Sequence, residues 1–211
     1  MSWRLASRLS VVTLALLVVL VVAFFSLRNI TNGQSLPGNP ATNTDGSQGT
    51  DLGSVTAPDF HLTDQFGKQV SLSQFKGEPV VLTFLYTHCP DVCPLIAEQL
   101  HTVMLDLGKN AQHVAVLAVS VDPGRDTIAS ALAFSKTHNM TAYWHYLVGT
   151  EAQLSPVWTA YAIGAQQETS TVSMHTTALY IIDKQGRERI LLDQTFTPAY
   201  LTGLLQTLLK E

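Results

Sequence analysis

The pattern of hydrophobic and polar positions divides the chain into three regions. Residues 11–27 form an uncharged, almost entirely apolar run of 17 residues. A bilayer core needs roughly 17–25 apolar helical residues, so this run is just long enough to span one. Arg4 and Arg8 precede the run, which predicts an N-terminus in the cytoplasm and everything after the run outside. We therefore expect an N-terminal membrane anchor at residues 1–28.

The rival interpretation of this run is a cleaved signal peptide, but it ends at Leu27 and Arg28 without a small-x-small cleavage pattern. The next segment, residues 29–56, has no aromatic side chain, and Gly, Pro, Asn, Ser and Thr supply 19 of its 28 residues. Such a composition predicts a flexible linker. The remainder, residues 57–211, is expected to be one globular domain on the extracytoplasmic face of the cell membrane.

Within this domain, short apolar runs alternate with helical patterns. Two runs rich in β-branched residues predict buried strands at 80–86 and 114–121. Further elements are predicted in chain order: a helix that starts near Pro94 and ends before Gly108, a helix capped by Asp126-Thr127 that reaches about His138, a strand at 143–147, a helix at 151–161, a hairpin of strands 177–182 and 188–192, and a helix at 198–209. This order predicts an α/β domain with a mixed central sheet flanked by helices, a thioredoxin-like fold.

Composition and charge narrow the class of protein. The 211 residues are 46% hydrophobic and carry 12 basic against 16 acidic side chains, a net charge of −4. Nucleic-acid binding is not expected, because it requires a concentrated basic surface. Two cysteines cannot form a disulfide scaffold, and Cys89 and Cys93 lie only four positions apart. They therefore indicate a specialised site.

Both cysteines fall at a predicted strand-to-helix junction, the edge of an α/β sheet where ligands bind. A helix N-terminus there would lower a thiol pKa, and the four-residue offset brings Cys89 and Cys93 to one side of a turn. They could form a disulfide or share a metal ion. The alternative is a purely structural disulfide, but a disulfide that closes so small a loop would stabilise the fold little.

Paired thiolates suit Cu(I), zinc or redox chemistry. A structural zinc site needs four ligands, and no second cysteine pair exists. Copper(I) accepts fewer ligands, and two thiolates with one imidazole would satisfy it. Among seven histidines, His175 is the best candidate because it lies in the loop before a predicted core strand, which in a thioredoxin-like fold faces the cysteine junction. Asp122, after the second buried strand, could orient the ligands from outside the coordination sphere or simply begin an Asp-Pro-Gly turn.

Three stretches carry a family resemblance: Cys-Pro-Asp-Val-Cys-Pro at 89–94, Ser-Val-Asp-Pro-Gly-Arg-Asp-Thr at 120–127 and Phe-His-Leu-Thr-Asp-Gln-Phe-Gly at 60–67. With His175 before a strand, they resemble the Sco/SenC family of membrane-tethered, thioredoxin-like proteins. These bind copper and help to assemble the dinuclear copper centre of cytochrome c oxidase. The resemblance implies that Cys89, Cys93 and His175 bind a copper ion, and that the partner is the copper-bearing oxidase subunit.

Two function classes stay open. The first is a copper-binding metallochaperone, which is not an enzyme. The second is a thiol–disulfide oxidoreductase with Cys89 and Cys93 as its redox pair. Redox enzymes of this fold typically have Cys-x-x-Cys and a Pro before the strand that His175 precedes, whereas this chain has an extra residue between the cysteines and Thr176-Thr177 at the Pro position. These features favour the copper carrier. A thiol peroxidase is a weaker third possibility.

Overall fold

The structure is a computed structural model that describes residues 48–164 and 178–211. The predicted membrane anchor, most of the predicted linker and His175 lie outside these residues. In the two described ranges, no helix is both long enough and apolar enough to cross a membrane.

Eight strands and four α-helices make up the described part of the chain. The strands are β1 Thr50–Thr56, β2 His61–Asp64, β3 Gln69–Ser71, β4 Val80–Leu85, β5 Ala115–Ser120, β6 His145–Val148, β7 Leu179–Ile182 and β8 Arg187–Leu192. The helices are α1 Val92–Leu107, α2 Ile128–Thr137, α3 Glu151–Ala160 and α4 Pro198–Lys210, with 3₁₀ helices at Leu72–Phe75 and Gly108–His113.

All eight strands belong to one mixed sheet in the order β1-β8-β7-β4-β5-β6-β2-β3. The three strands β4, β5 and β6 run parallel, and the remaining neighbours pair antiparallel. Every residue of β4 and β5 is buried, which explains why both read as continuous apolar runs in the sequence. The predicted α/β domain with a mixed sheet is confirmed.

The register of β7 against β4 fixes which chain segments meet at one end of the sheet. Ile182 pairs with Val80 at the beginning of β4, and Leu179 pairs with Thr83 near its end. The chain therefore enters β7 at Ala178, at the end of the sheet where β4 ends and the chain continues to α1. The two cysteines flank the beginning of α1 at that same end.

The helices begin and end where local sequence chemistry predicts. Helix α1 buries one apolar face and ends at Gly108, which has a φ of 55° that glycine adopts without strain. Helix α2 is capped at its N-terminus by Thr127, whose hydroxyl accepts the backbone N–H of Ser130. The sequence predicts a helix cap at Asp126 or Thr127, and in the structure Thr127 is the capping residue.

One sequence expectation differs from the structure at the domain boundary. The last seven residues of the predicted flexible linker, Thr50–Thr56, form strand β1 and pair with β8. This strand lies at the edge of the sheet, most of its residues are exposed, and a register shift interrupts the pairing between Asp51 and Val55. Its polar sequence therefore lacks the apolar alternation that identifies a half-buried strand. The short strands β2 and β3 were likewise not predicted.

Candidate metal centre

The turn between β4 and α1 brings the two sulfurs together. Cys89 is half-buried in this turn, and Cys93 lies in the first turn of α1 with a solvent exposure of 0%. The backbone N–H of Cys93 donates to the Sγ of Cys89 at 3.4 Å, and no disulfide joins the two residues. The predicted juxtaposition of the pair at a helix N-terminus is therefore present.

The two thiols have opposite electrostatic environments. Burial works to raise the pKa of Cys89, but hydrogen bonds from the backbone N–H groups of Asp91 and Cys93 outweigh it, so the pKa lies below the ordinary value of 9.0. Burial raises the pKa of Cys93 far above that value, and the negative charge of Asp126 acts in the same direction. Cys89 is thus the more accessible and the more easily ionised sulfur of the pair.

Tyr86 connects Cys89 to a pair of charged side chains. Burial and a hydrogen bond with the Cys89 sulfur raise the pKa of Tyr86 to about 12. The guanidinium of Arg125 lies over the ring of Tyr86, 5.9 Å from its centroid, and Asp122 forms an ion pair with Arg125. Asp122 is thus linked to Cys89 through Arg125 and Tyr86. Its proposed orienting role remains a prediction.

Asp126 lies closer to the cysteine turn than the sequence indicated. Its Oδ1 accepts both the backbone N–H of Thr87, at 3.0 Å, and the Thr87 hydroxyl, at 2.6 Å. Its Oδ2 accepts the hydroxyls of Ser120, at 2.6 Å, and Tyr146, at 3.2 Å. No sequence pattern signals this arrangement, because Thr87 lies 39 positions before Asp126. A residue that looked like a helix cap instead anchors the turn that carries Cys89.

The described histidines supply no third ligand. His88 is 51% exposed, and its Nδ1 lies 2.9 Å from the Thr87 hydroxyl. His145 contacts Asp64, and His138 lies beside Glu98. Over residues 48–164 and 178–211, no group of three His, Cys, Asp or Glu side chains is placed to hold a metal ion. The described part of the site therefore offers two sulfur ligands.

Comparison with known proteins identifies the family. The family model described as SCO1/SenC matches residues 48–210. The chain belongs to the SCO1/SenC family. A mitochondrial SCO2 homologue of Bos taurus is 30% identical over 135 residues, which are 61% of this chain and 50% of that protein. This SCO1/SenC chain thus matches about half the length of that curated relative.

Solved structures of relatives show the same fold. The structure of Bradyrhizobium japonicum ScoI with copper bound superposes with a TM-score of 0.65 at 32% identity and covers 73% of this chain and 99% of that one. Apo Sco1 from Thermus thermophilus gives a TM-score of 0.63 at 29% identity, covering 76% of this chain and 95% of that one. The predicted family resemblance and the predicted thioredoxin-like fold of the SCO1/SenC domain are both confirmed.

Proposed function

We propose that the chain carries one copper ion as cargo, held by Cys89, Cys93 and His175, and delivers it to the dinuclear copper site of cytochrome c oxidase. The observation that carries this proposal is the pairing of the two cysteines at the N-terminus of α1, where the Cys93 backbone N–H donates to the Cys89 sulfur at 3.4 Å and the two side chains are hydrogen-bonded. A relative from Bradyrhizobium japonicum has been solved with copper bound, and thiolates are the soft ligands that copper(I) prefers.

Two features of the site support this ligand set. The Cys93 side chain is enclosed by the apolar core, so an ion bound to it would be shielded from water on that side. The third ligand is proposed from sequence position and register: His175 lies three residues before Ala178, where the chain enters β7 at the end of β4. An imidazole there would complete a three-coordinate site.

The half-exposed Cys89 provides a route for delivery. A ligand of the acceptor can approach its sulfur from solvent, whereas Cys93 is fully buried. We infer that cargo leaves by ligand exchange beginning at Cys89, the acceptor being the copper-bearing subunit of the oxidase. The upstream copper donor, or the thiol reductant that keeps the pair reduced, would react at this same sulfur of Cys89.

The apolar run at residues 11–27 supports a membrane tether. We propose that residues 1–28 anchor the chain in the cell membrane, with the remainder on the extracytoplasmic face. The linker then ends before β1, because Thr50–Thr56 belongs to the sheet. A domain tethered in this way stays close to an acceptor that is itself a membrane protein.

The unequal sulfurs favour a second candidate function, thiol–disulfide exchange. Cys89, whose pKa lies below its ordinary value, would attack a partner disulfide as thiolate, forming a mixed disulfide and releasing one partner thiolate. Cys93 would then lose its proton and attack the Sγ of Cys89, which releases the second partner thiol. Two electrons pass to the partner, and the chain is left with a Cys89–Cys93 disulfide that cannot bind copper.

A competition titration tests the first proposal. The reduced full-length chain is titrated anaerobically with Cu(I) against a chromophoric chelator, beside His175→Ala and the control His113→Ala, an exposed histidine at the opposite end of β5. We expect one tightly bound copper in the wild-type chain and the control, and none in His175→Ala. Tight one-to-one binding by His175→Ala would show that the ligand assignment is wrong.

Turnover distinguishes the two functions. The copper-loaded chain is mixed with the copper-binding domain of the oxidase subunit, and the reduced chain is assayed separately on several unrelated disulfide substrates. We expect copper transfer and negligible disulfide reduction. Rapid reduction of unrelated substrates without copper transfer would establish the oxidoreductase instead.

A further inference from the structure

Asp126 is a buried carboxylate that the proposed copper chemistry does not use directly. Its side chain has an exposure of 0% and accepts four hydrogen bonds. We propose that Asp126 is a positioning residue that fixes the turn bearing Cys89 over the buried Cys93. The role in holding cargo rests on the proposed function, whereas the role in shaping the sulfur pair does not.

The four hydrogen bonds join the turn to two further strands. Thr87, two residues before Cys89, directs both of its donors to one oxygen of the carboxylate. The other oxygen accepts Ser120 at the end of β5 and Tyr146 in β6. The turn is therefore tied through a single side chain to the last residue of β5 and to the second residue of β6. Removing the carboxylate would free Thr87 and the backbone that places the Cys89 sulfur.

Asp126 differs from the other buried acids in its partners. Among the described residues, Asp64, Asp122 and Asp183 each have a basic side chain within 3.5 Å. Asp126 has only the half-exposed His88, at 4.0 Å, and hydroxyls supply most of its hydrogen bonds. A buried charge without a close counter-charge is costly, and departures of this kind are concentrated at functional sites.

The position of the charge also connects Asp126 to the sulfurs. Its carboxylate lies close enough to Cys93 and Tyr146 for its negative charge to raise the pKa of both groups. If Asp126 did no more than anchor the turn, an arginine could balance its charge, as Arg187 does for Asp183 in the hairpin turn. Here a negative group lies beside the thiols that are proposed to receive a cation.

The test compares two buried aspartates and two variants of Thr87 in the full-length chain. Asp126→Asn is matched by Asp183→Asn, which removes a similarly buried carboxylate at the other end of the sheet. Thr87→Val removes the hydroxyl, and Thr87→Ser restores it. Two quantities are measured at the same interval below each variant's melting temperature: the alkylation rate of Cys93 in the reduced, metal-free chain, and the dissociation constant for Cu(I).

We expect Asp126→Asn to speed alkylation of Cys93 and to weaken Cu(I) binding by about 10-fold, the lower end of what residues outside a coordination sphere contribute to metal affinity. Thr87→Val should change both in the same direction by a smaller factor, while Thr87→Ser and Asp183→Asn should match the wild-type chain. If Asp126→Asn does not fold, the Thr87→Val and Thr87→Ser pair decides the question.

Equal alkylation rates in Asp126→Asn and Asp183→Asn at matched stability would overturn the proposal, because Asp126 would then be only a structural anchor. So would equal rates in Thr87→Val and Thr87→Ser. Failure of the wild-type chain to bind Cu(I) refutes the proposed function instead, and the metal-free alkylation rates still decide the role of Asp126.

Discussion

Two turns at opposite ends of the sheet are each organised by a buried aspartate, and they differ in where its partners come from. In the hairpin between β7 and β8, Asp183 accepts the backbone N–H groups of Gln185 and Arg187 and pairs with the guanidinium of Arg187. These partners lie within four residues of it. In the cysteine turn, the partners of Asp126 lie 6, 20 and 39 positions away.

The two turns also differ in how the carboxylate charge is balanced. Arg187 and Arg189 neutralise Asp183, and its pKa lies below the ordinary value because hydrogen bonds and charge from Arg187 outweigh the effect of burial. Asp126 is held mainly by hydroxyls and lies beside the sulfurs. The hairpin is a self-contained local turn, whereas the cysteine turn depends on three strands and keeps a negative charge next to a reactive pair.

The largest expected effect is on the cysteine turn itself. Cys93→Ala should abolish stoichiometric copper binding while the fold survives, because alanine replaces a small side chain enclosed by the apolar core. Copper per chain after gel filtration measures the loss, and circular dichroism checks the fold. Met104→Leu, a volume-conserving change on the same helix, serves as the control. Retention of one copper per chain by Cys93→Ala would refute the two-sulfur site.

The second prediction concerns the hairpin. Asp183→Asn should lower the free energy of unfolding by about 2 kcal/mol, because it leaves buried hydrogen-bonding groups and an arginine without their charged partner. The pKa of Asp183 is depressed in the folded chain, so its stabilisation is complete well above the ordinary value of 3.8 and is lost as the pH falls through the lower folded value.

Denaturant unfolding at several pH values tests this prediction. The difference between Asp183→Asn and the wild-type chain should narrow as the pH drops from neutral toward 3.8 and below. Copper affinity measured in parallel should not change. A difference that grows on acidification would contradict the assigned sign.

The third prediction concerns the boundary of the domain at β1. A Cβ at Gly49 would lie 2.5 Å from Cδ2 of Leu192 and 2.6 Å from the carbonyl oxygen of Leu191, whereas one at Gly53 would meet nothing within 4 Å. Both glycines have positive φ, so backbone strain is common to the two substitutions. Gly49→Ala should therefore destabilise the domain by about 1 kcal/mol more than Gly53→Ala, measured by thermal unfolding. Equal effects would place β1 outside the cooperative unit.

The smallest expected effect is at Arg125. This side chain lies over Tyr86 but is half-exposed, so solvent weakens its influence on the sulfur that Tyr86 contacts. Arg125→Met should change the Cu(I) dissociation constant by less than about 5-fold, since exposed cation–π contacts contribute roughly 0.5–1 kcal/mol. A loss as large as that expected for Asp126→Asn would show that the Asp122–Arg125–Tyr86 chain, rather than Asp126, organises the site.

A turn can be predicted from the sequence when its organising residues are close together in the chain. The hairpin at 183–187 was predicted because all of its organising residues are adjacent in the chain. Strands β4 and β5 were predicted because both are buried on two faces, which produces uninterrupted apolar runs. The exposed edge strand β1 was missed because its pairing is made by the backbone and leaves little trace in side-chain polarity.

The candidate site was predictable only in part. The spacing of Cys89 and Cys93 after a buried strand was enough to place both sulfurs at a helix N-terminus, because that geometry is local. The partnership of Asp126 with Thr87 depends on strand order, which brings distant residues together and leaves no local pattern. His175 lies outside the described residues and stays a prediction from sequence and family resemblance.

The ligand set is tested most directly by copper X-ray absorption spectroscopy on the Cu(I)-loaded full-length chain and on His175→Ala. We expect two sulfur ligands and one nitrogen ligand in the wild-type chain, with the nitrogen contribution lost in the variant. A sulfur-only spectrum that is identical in the two proteins would contradict this ligand set.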